Sequence, residues 1–140
     1  MSMKVLVVED NPVNCAIAKG MLKSLQCEAY CAANGEEALA ACAADQYDLV
    51  LMDCDMPVMD GLTATALIRQ REASTNAPRL PIIALTANTE SSLIEKCVQA
   101  GMDDYHTKPI KLTTLVQILT RWADRQPKQA LERGSRPTNY

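Results

Sequence analysis

The sequence predicts an α/β fold in which one parallel β-sheet is covered on both faces by helices. Short apolar runs, typical of strands buried on both faces, alternate along the chain with longer segments of helical periodicity. Strands separated by helices run parallel, with right-handed crossovers. Several apolar runs also end directly on polar side chains, at the edge of the sheet where open α/β folds bind ligands. At 140 residues the chain is long enough for one ordinary domain.

Five strand–helix units account for the order of the elements. The predicted strands are 4–8, 28–32, 48–53, 81–86 and 103–107, and the predicted helices are 12–25, 36–44, 61–72, 90–100 and 112–123. The first strand leads to Asn11 and Pro12, which are typical of a helix N-cap and a first helical residue. The third and fourth strands are continuous apolar runs that end on Asp53 and Thr86. The fifth strand leads into Lys108.

Turn signals and side-chain spacing support the remaining boundaries. Asn34-Gly35 and Ala100-Gly101 mark a turn and a helix end. Two helices carry apolar side chains spaced along one face, which predicts that this face packs on the core. The residues are Val13, Ile17, Met21 and Leu25 in the first helix, and Leu112, Leu115, Val116, Leu119 and Trp122 in the last.

Composition narrows the class of protein. A net charge of -3 and the lack of a basic stripe argue against direct binding of nucleic acid. The six cysteines form no CxxC pair and have apolar neighbours, so we expect them to be reduced, buried hydrophobes. They are Cys15, Cys27, Cys31, Cys42, Cys54 and Cys97. Without a signal peptide or an apolar run of about 18 residues, we expect a cytoplasmic chain with no membrane segment.

The last residues differ in character from the rest. Residues 124–140 contain two prolines, six charged side chains and Leu131 as the only large aliphatic residue. Such a segment has little apolar surface to bury. We therefore expect one folded domain at 1–123, followed by a flexible tail or linker at 124–140.

A group of polar side chains is expected at one edge of the sheet. Glu9 and Asp10 follow the first strand, Asp53 ends the third, and Thr86 and Lys108 follow the fourth and fifth. In the flavodoxin-like strand order 2-1-3-4-5, the first and third strands are neighbours, so three carboxylates meet. Each like-charged pair costs about 3 kcal/mol at roughly 5 Å and an effective dielectric constant near 20. A Mg²⁺ ion or the Lys108 ammonium would offset that cost.

The chemistry that suits this arrangement is phosphoryl transfer to a carboxylate. Such transfer requires a positioned nucleophile and positive charge around the phosphoryl oxygens. Asp53 would be the nucleophile and Asp10 would ligate the metal, with Glu9 binding it directly or through water. Thr86 and Lys108 would bind the phosphoryl oxygens.

Four segments carry a resemblance to a known family. They are Val8-Glu9-Asp10-Asn11-Pro12, Met52-Asp53-Cys54-Asp55-Met56-Pro57-Val58-Met59-Asp60-Gly61, Ala84-Leu85-Thr86-Ala87 and Gly101-Met102-Asp103-Asp104-Tyr105-His106-Thr107-Lys108-Pro109-Ile110. In this order and spacing, over residues 4 to about 123, the chain resembles the receiver domain of two-component response regulators. The sequences of these motifs are most similar to those of receivers in hybrid sensor histidine kinases and phosphorelays.

The resemblance implies a signalling domain, bacterial and cytoplasmic, that is not an enzyme in its own right. Asp53 would accept a phosphoryl group from the phosphohistidine of a kinase or a phosphotransfer domain. Glu9, Asp10, Asp53 and the backbone carbonyl of Asp55 would hold Mg²⁺. Thr86 would be one of two switch residues.

The same resemblance implies the second switch residue, Tyr105, and a cis Lys108-Pro109 peptide bond. A homodimer could form through the face made by the fourth helix, fifth strand and fifth helix. The histidine-bearing partner is expected to dock around the phosphoacceptor. That surface would comprise Asn14, Ile17 and Ala18 of the first helix and Pro109-Ile110 after the last strand.

Two alternatives stand beside this interpretation. Asp53-Cys54-Asp55 also matches the Asp-x-Asp signature of haloacid-dehalogenase-like phosphatases. In those enzymes, however, the nucleophile follows the first strand, and there is no room here for a cap domain. The other alternative is an interaction module of the same fold that is not phosphorylated, which the full set of acidic, Thr and Lys residues disfavours. No GxGxxG sequence supports dinucleotide binding.

Overall fold

The computed structural model describes residues 3–54, 61–87 and 90–123, and within them it contains five strands and five helices in strict alternation. The strands are β1 (Lys4–Val8), β2 (Glu28–Ala32), β3 (Leu49–Asp53), β4 (Ile82–Thr86) and β5 (Asp104–Thr107). The helices are α1 (Pro12–Ser24), α2 (Gly35–Ala44), α3 (Gly61–Thr75), α4 (Ser91–Ala100) and α5 (Leu112–Ala123). The predicted elements are confirmed to within three residues at each end.

The sheet is parallel throughout and has the predicted order β2-β1-β3-β4-β5. The central strands β3 and β4 are buried at every residue, which explains their continuous apolar sequence. In β1 only Lys4 is partly exposed. Val8 of β1 lies opposite Met52 of β3, so the residues that follow these two positions meet at the carboxyl edge.

Side chains of each strand alternate between two cores, one on each face of the sheet. On one face, α1 and α5 cover residues that include Val5, Leu51 and Ile83. On the other face, α2, α3 and α4 cover residues that include Leu6 and Met52. The two-sided covering is that of a doubly wound α/β sheet.

Helix α1 begins as the sequence predicts. The Asn11 Oδ1 atom accepts hydrogen bonds from the backbone N–H groups of Val13 and Asn14, at 2.9 and 3.2 Å. Pro12 occupies the first helical position, where its missing N–H group costs nothing. This cap fixes the direction of the chain directly after Asp10, and so helps to position the acidic residues.

The predicted buried face of α1 is wrong in part. Val13 and Ile17 are 65% and 53% exposed, and the residues that pack on the sheet are Cys15, Ala18 and Leu22. Two of these three residues, Cys15 and Ala18, have small side chains, so the spacing of the large apolar residues did not mark the contact face. In α5, similarly, Leu112 and Val116 are exposed whereas Leu115, Leu119 and Trp122 are buried.

The expectation of six reduced cysteines is also wrong. Cys15 of α1 and Cys31 of β2 form a disulfide, and Cys31 is exposed. Cys27, Cys42, Cys54 and Cys97 are outside any disulfide, and all but the half-buried Cys54 are buried. The crossover from β1 through α1 to β2 brings the two cysteines together although they are 16 residues apart in sequence. No local sequence pattern predicts that they meet.

Three further expectations concern the C-terminal tail, the Asp55 carbonyl and membrane-spanning segments. The tail at 124–140 and the Asp55 carbonyl lie outside the described residues, so both remain predictions. Across residues 3–54, 61–87 and 90–123, none of the helices has the length and apolar character needed to cross a bilayer.

Candidate functional site

The three predicted carboxylates do meet at the carboxyl edge of the sheet. Glu9 and Asp10 follow β1 and Asp53 ends β3, and a carboxylate oxygen of each lies within 4.8 Å of the others. Asp53 is 2% exposed, Glu9 is half-buried and Asp10 is exposed. The cluster therefore has a buried end at Asp53 and a solvent-facing end at Asp10.

Asp53 is held by the sheet and by the start of α3. It pairs with Leu85 in β4, and the next backbone N–H, from Cys54, donates to the Leu85 carbonyl at 3.0 Å. A Cβ atom on Gly61 would lie only 2.7 Å from the Asp53 carbonyl oxygen and 2.9 Å from Met52 Cγ. Only glycine lets α3 begin this close to the phosphoacceptor candidate, a requirement that the sequence pattern alone does not reveal.

Lys108 supplies the positive charge that the cluster requires. Its Nζ atom lies 3.1 Å from Asp53 Oδ1, within hydrogen-bonding and ion-pairing distance. The Lys108 backbone N–H donates to the Thr86 carbonyl at 2.9 Å, which anchors the end of β5 to the end of β4. The Lys108-Pro109 peptide bond is cis, as the resemblance implies.

The environment of the cluster changes the pKa of Glu9. Burial raises the pKa of its carboxyl above the ordinary value, and the neighbouring Asp53 charge adds to the increase. A hydrogen bond from the Asn11 backbone N–H to Glu9 Oε2, at 3.2 Å, and the Lys108 charge oppose the rise in pKa without cancelling it. A cation at this position would favour the ionised form of Glu9.

The two candidate switch residues lie on neighbouring strands. Thr86, at the end of β4, is fully buried, whereas Tyr105 of β5 is 43% exposed. Tyr105 pairs with Ala84, two residues before Thr86, so both side chains belong to the sheet face covered by α4. The exposed aromatic ring of Tyr105 therefore lies on the same sheet face as the buried Thr86.

The residues present fit Mg²⁺. The donor set consists entirely of carboxylate oxygens, which this ion prefers, and Asp10 leaves one side open to water. Ligands on one Mg²⁺ ion lie at most about 4.2 Å apart, because each oxygen is about 2.1 Å from the metal. A separation of up to 4.8 Å therefore requires a small closure of the cluster or a bridging water.

Comparison with known sequences identifies the same family that the motifs indicate. The family described as "Response regulator receiver domain" matches residues 5–120. Hybrid signal transduction histidine kinase G of Dictyostelium discoideum is 43% identical over 122 residues, which cover 86% of this chain and 4% of that protein. Sensor protein GacS of Pseudomonas syringae is 42% identical over 119 residues, which cover 85% of this chain and 13% of that protein.

Solved structures agree with the sequence matches. The receiver domain of sensor histidine kinase PA1611 of Pseudomonas aeruginosa, with a magnesium ion in its active site cleft, is 44% identical with a TM-score of 0.78. The alignment covers 89% of this chain and 99% of that one. The Saccharomyces cerevisiae complex of Ypd1 with the Ssk1 receiver domain gives 32% identity and a TM-score of 0.84, covering 89% and 91%.

These comparisons bear on several expectations. The comparisons do not support the haloacid-dehalogenase-like phosphatase alternative, since the matched family is that of response regulator receiver domains. Histidine kinase 5 of Arabidopsis thaliana is 41% identical over 142 residues, which cover 85% of this chain and 15% of that protein. This relative and the one from Dictyostelium discoideum show that the family is not restricted to bacteria. The chain spans between 4% and 13% of the first three curated relatives. The chain belongs to the response regulator receiver domain family.

Proposed function

We propose that this receiver accepts a phosphoryl group on Asp53 from the phosphohistidine of a partner, with Mg²⁺ held by Glu9, Asp10 and Asp53. The observation that carries the proposal is the environment of the Asp53 carboxylate. It is 2% exposed, lies beside two other carboxylates, and has the Lys108 ammonium 3.1 Å away. An acidic cluster with a buried carboxylate at one end and an ammonium group beside it is suited to binding a metal and a phosphoryl group together.

In the proposed step, a carboxylate oxygen of Asp53 attacks phosphorus in line with the departing imidazole nitrogen. The P–N bond breaks, and its electron pair stays on the imidazole. Bound Mg²⁺ would neutralise phosphoryl oxygens during the transfer. Before transfer, Lys108 forms an ion pair with the carboxylate of Asp53. After transfer, it would form an ion pair with a phosphoryl oxygen instead. The buried hydroxyl residue Thr86 would donate to another.

The metal assignment is supported by three carboxylates of this chain and by one relative. Glu9, Asp10 and Asp53 supply hard oxygen ligands within one ion's reach after a small closure. The similar PA1611 receiver contains magnesium in its active site cleft. The Asp55 backbone carbonyl, outside the described residues, remains the predicted fourth protein ligand.

The proposed partner is a histidine kinase or a histidine phosphotransfer domain. The relatives include hybrid signal transduction histidine kinases, and the Ssk1 receiver forms a complex with the histidine phosphotransfer protein Ypd1. Near the site, α1 exposes Val13, Asn14 and Ile17, which gives an apolar surface beside the acidic edge. Ala18, which was also predicted for the docking surface, is only 7% exposed and is therefore not available to a partner.

Other expectations also remain proposals. The face formed by α4, β5 and α5 exposes Val98, Tyr105, Leu112 and Val116, which would suit a homodimer contact. We expect residues 1–123 to act as the receiver and 124–140 as a tail or linker, in the cytoplasm and without direct contact to nucleic acid.

A small acyl phosphate with Mg²⁺ tests the phosphoacceptor without a partner protein. The wild-type chain should gain one acid-stable, base-labile phosphoryl group, and Asp53→Asn should gain none. Asp45→Asn is a matched control, because Asp45 is an exposed carboxylate that pairs with Lys4 away from this site. Equal labelling of Asp53→Asn and wild type would refute the assignment.

A further inference from the structure

Three sulfur atoms meet behind the phosphoacceptor strand, on the sheet face covered by α2, α3 and α4. Cys54 directly follows β3, and its Sγ atom lies 3.8 Å from Cys97 Sγ in α4. The same Cys54 Sγ lies 3.9 Å from the Met102 Sδ, just beyond the end of α4. We call these three residues the sulfur triad. None of them belongs to the set of carboxylate, Thr and Lys residues assigned to phosphoryl transfer.

The end of α4 holds two members of the sulfur triad together. Gly101 is in the left-handed conformation at φ 109°, and the Met102 backbone N–H donates to the Cys97 carbonyl at 3.0 Å. The Gly101 N–H donates to the Val98 carbonyl, which completes a Schellman motif. In this motif, the side chains that correspond to Cys97 and Met102 commonly contact each other. The local backbone geometry therefore brings Cys97 and Met102 to the same end of α4, where both sulfur atoms are next to Cys54 Sγ.

The surrounding structure also fixes the triad in place. The Arg69 Nε atom donates to the Gly101 carbonyl at 2.9 Å, and a second guanidinium nitrogen pairs with Asp103 at 2.7 Å. Cys97 and Met102 are 2% and 5% exposed in the same core cluster against which Cys54 packs. The sulfur donors are thus preorganised before any ligand arrives.

The spacing of these sulfurs matches that of sulfur ligands around one metal ion. Metal–sulfur bonds of about 2.3 Å place two sulfurs about 3.8 Å apart in tetrahedral geometry and about 4.0 Å apart in trigonal geometry. The two measured separations are 3.8 and 3.9 Å. Two thiol sulfurs and one thioether form a soft donor set, which selects Cu(I) over the hard ion Mg²⁺.

We propose that Cys54, Cys97 and Met102 form a binding site for Cu(I). Cys54 is half-buried and provides the route for the ion, since its two partners are almost fully enclosed. Each thiol gives up its proton as it binds, so one ion replaces two protons. Cu(I) at this position would connect the residue after Asp53 to the end of α4.

Anaerobic titration of the full chain with Cu(I), in competition with a chromophoric Cu(I) chelator, tests the proposal. The wild type should bind one ion tightly, and X-ray absorption should show only sulfur neighbours at about 2.3 Å. Cys54→Ser should weaken binding at least about 100-fold, because losing a ligand costs at least as much as losing its outer-shell support. Met102→Leu should weaken it less.

Cys42→Ser is the matched control, because Cys42 is a buried thiol in the same core cluster but outside the triad. It should bind Cu(I) like the wild type. Sulfur atoms in simple van der Waals contact have a similar separation, so the binding measurement decides between contact and ligation. If the folded wild type does not bind Cu(I), the proposal is overturned. Unchanged affinity in Cys54→Ser would overturn it too. The site does not depend on Asp53, so labelling by acyl phosphate reports separately on the proposed function.

Discussion

Lys108 Nζ lies 3.1 Å from Asp53 Oδ1, and this ion pair joins the ends of β5 and β3 across the intervening strand β4. The Asp53 side chain is 2% exposed, whereas that of Lys108 is 24% exposed. Asp53 therefore loses most of its hydration, and Lys108 offsets part of that loss. Glu9 and Asp10 place two further negative charges nearby, so one ammonium leaves the cluster net negative.

This excess negative charge predicts a link between Mg²⁺ and stability. Mg²⁺ at 100 times its dissociation constant should stabilise the wild type by about 2.7 kcal/mol, because the ion binds only the assembled cluster. Asp53→Asn removes a ligand and a repulsive charge, so it should melt higher than the wild type without Mg²⁺ and gain little when Mg²⁺ is added. Thermal melts with and without Mg²⁺ would show this. A similar gain in both proteins would contradict metal binding at Asp53.

The raised pKa of Glu9 predicts how stability depends on pH without metal. A carboxyl whose pKa is higher in the folded state binds more protons when folded, so its contribution to stability falls as pH rises from about 4.3 through the folded-state value. Glu9→Gln removes that loss. In Mg²⁺-free buffer the variant should be the more stable protein near pH 7, and the difference should shrink below about pH 4.3. A difference that does not change with pH would argue against this origin.

Two glycines offer a matched test of the close packing at Asp53. Gly61→Ala would put a Cβ atom 2.7 Å from the Asp53 carbonyl oxygen, so it should destabilise the fold by about 1–3 kcal/mol. Gly20→Ala meets nothing within 4 Å on the exposed side of α1 and should stabilise it by up to about 1 kcal/mol. Urea unfolding of both variants gives the comparison. Equal effects would mean that the approach of α3 to β3 does not require glycine.

The sequence predicted the sheet and the acidic cluster for the same physical reason. Strands buried on both faces must be apolar, so Asp53 and Thr86 stood out at the ends of such runs. The buried face of α1 was harder to predict, since the small side chain of Ala18 packs inward while the larger Ile17 stays outside. Gly61 belongs to one of the recognised motifs, but its close approach to the Asp53 carbonyl could not be predicted, because it depends on two segments that meet only in the folded protein.

The exposed apolar surface of α1 predicts a partner-specific defect. Ile17→Glu places a charge on a side chain that is 53% exposed, so the fold should tolerate it. Transfer from a phosphohistidine partner should slow at least tenfold, or about 1.4 kcal/mol, if Ile17 packs into the interface. Labelling by a small acyl phosphate should not change. Val98→Glu, on the exposed side of α4, is the control and should transfer normally. Equal loss with both donors would contradict a docking role.

Thr86 and Tyr105 predict how phosphorylation would reach the surface. Phosphorylation adds roughly 1.5 to 2 negative charges and strong acceptor oxygens, so the buried Thr86 hydroxyl would be drawn towards Asp53 and leave space on the sheet face it shares with Tyr105. Shifting a two-state population from 1:99 to 99:1 requires about 5.5 kcal/mol, whereas one neutral hydrogen bond supplies about 1 kcal/mol. Lys108 and the metal must therefore contribute to the change.

A beryllofluoride phosphoryl mimic with Mg²⁺ would test this coupling by NMR. In the wild type, amide shifts should change across residues 90–123, which comprise α4, β5 and α5. Thr86→Ala should still bind the mimic at Asp53 but lose most of the changes near Tyr105. Thr107→Ala is the matched control, because Thr107 pairs with Thr86 in the sheet yet is exposed, and it should respond like the wild type. A wild-type shift pattern in Thr86→Ala would show that the signal reaches this face without the Thr86 hydroxyl.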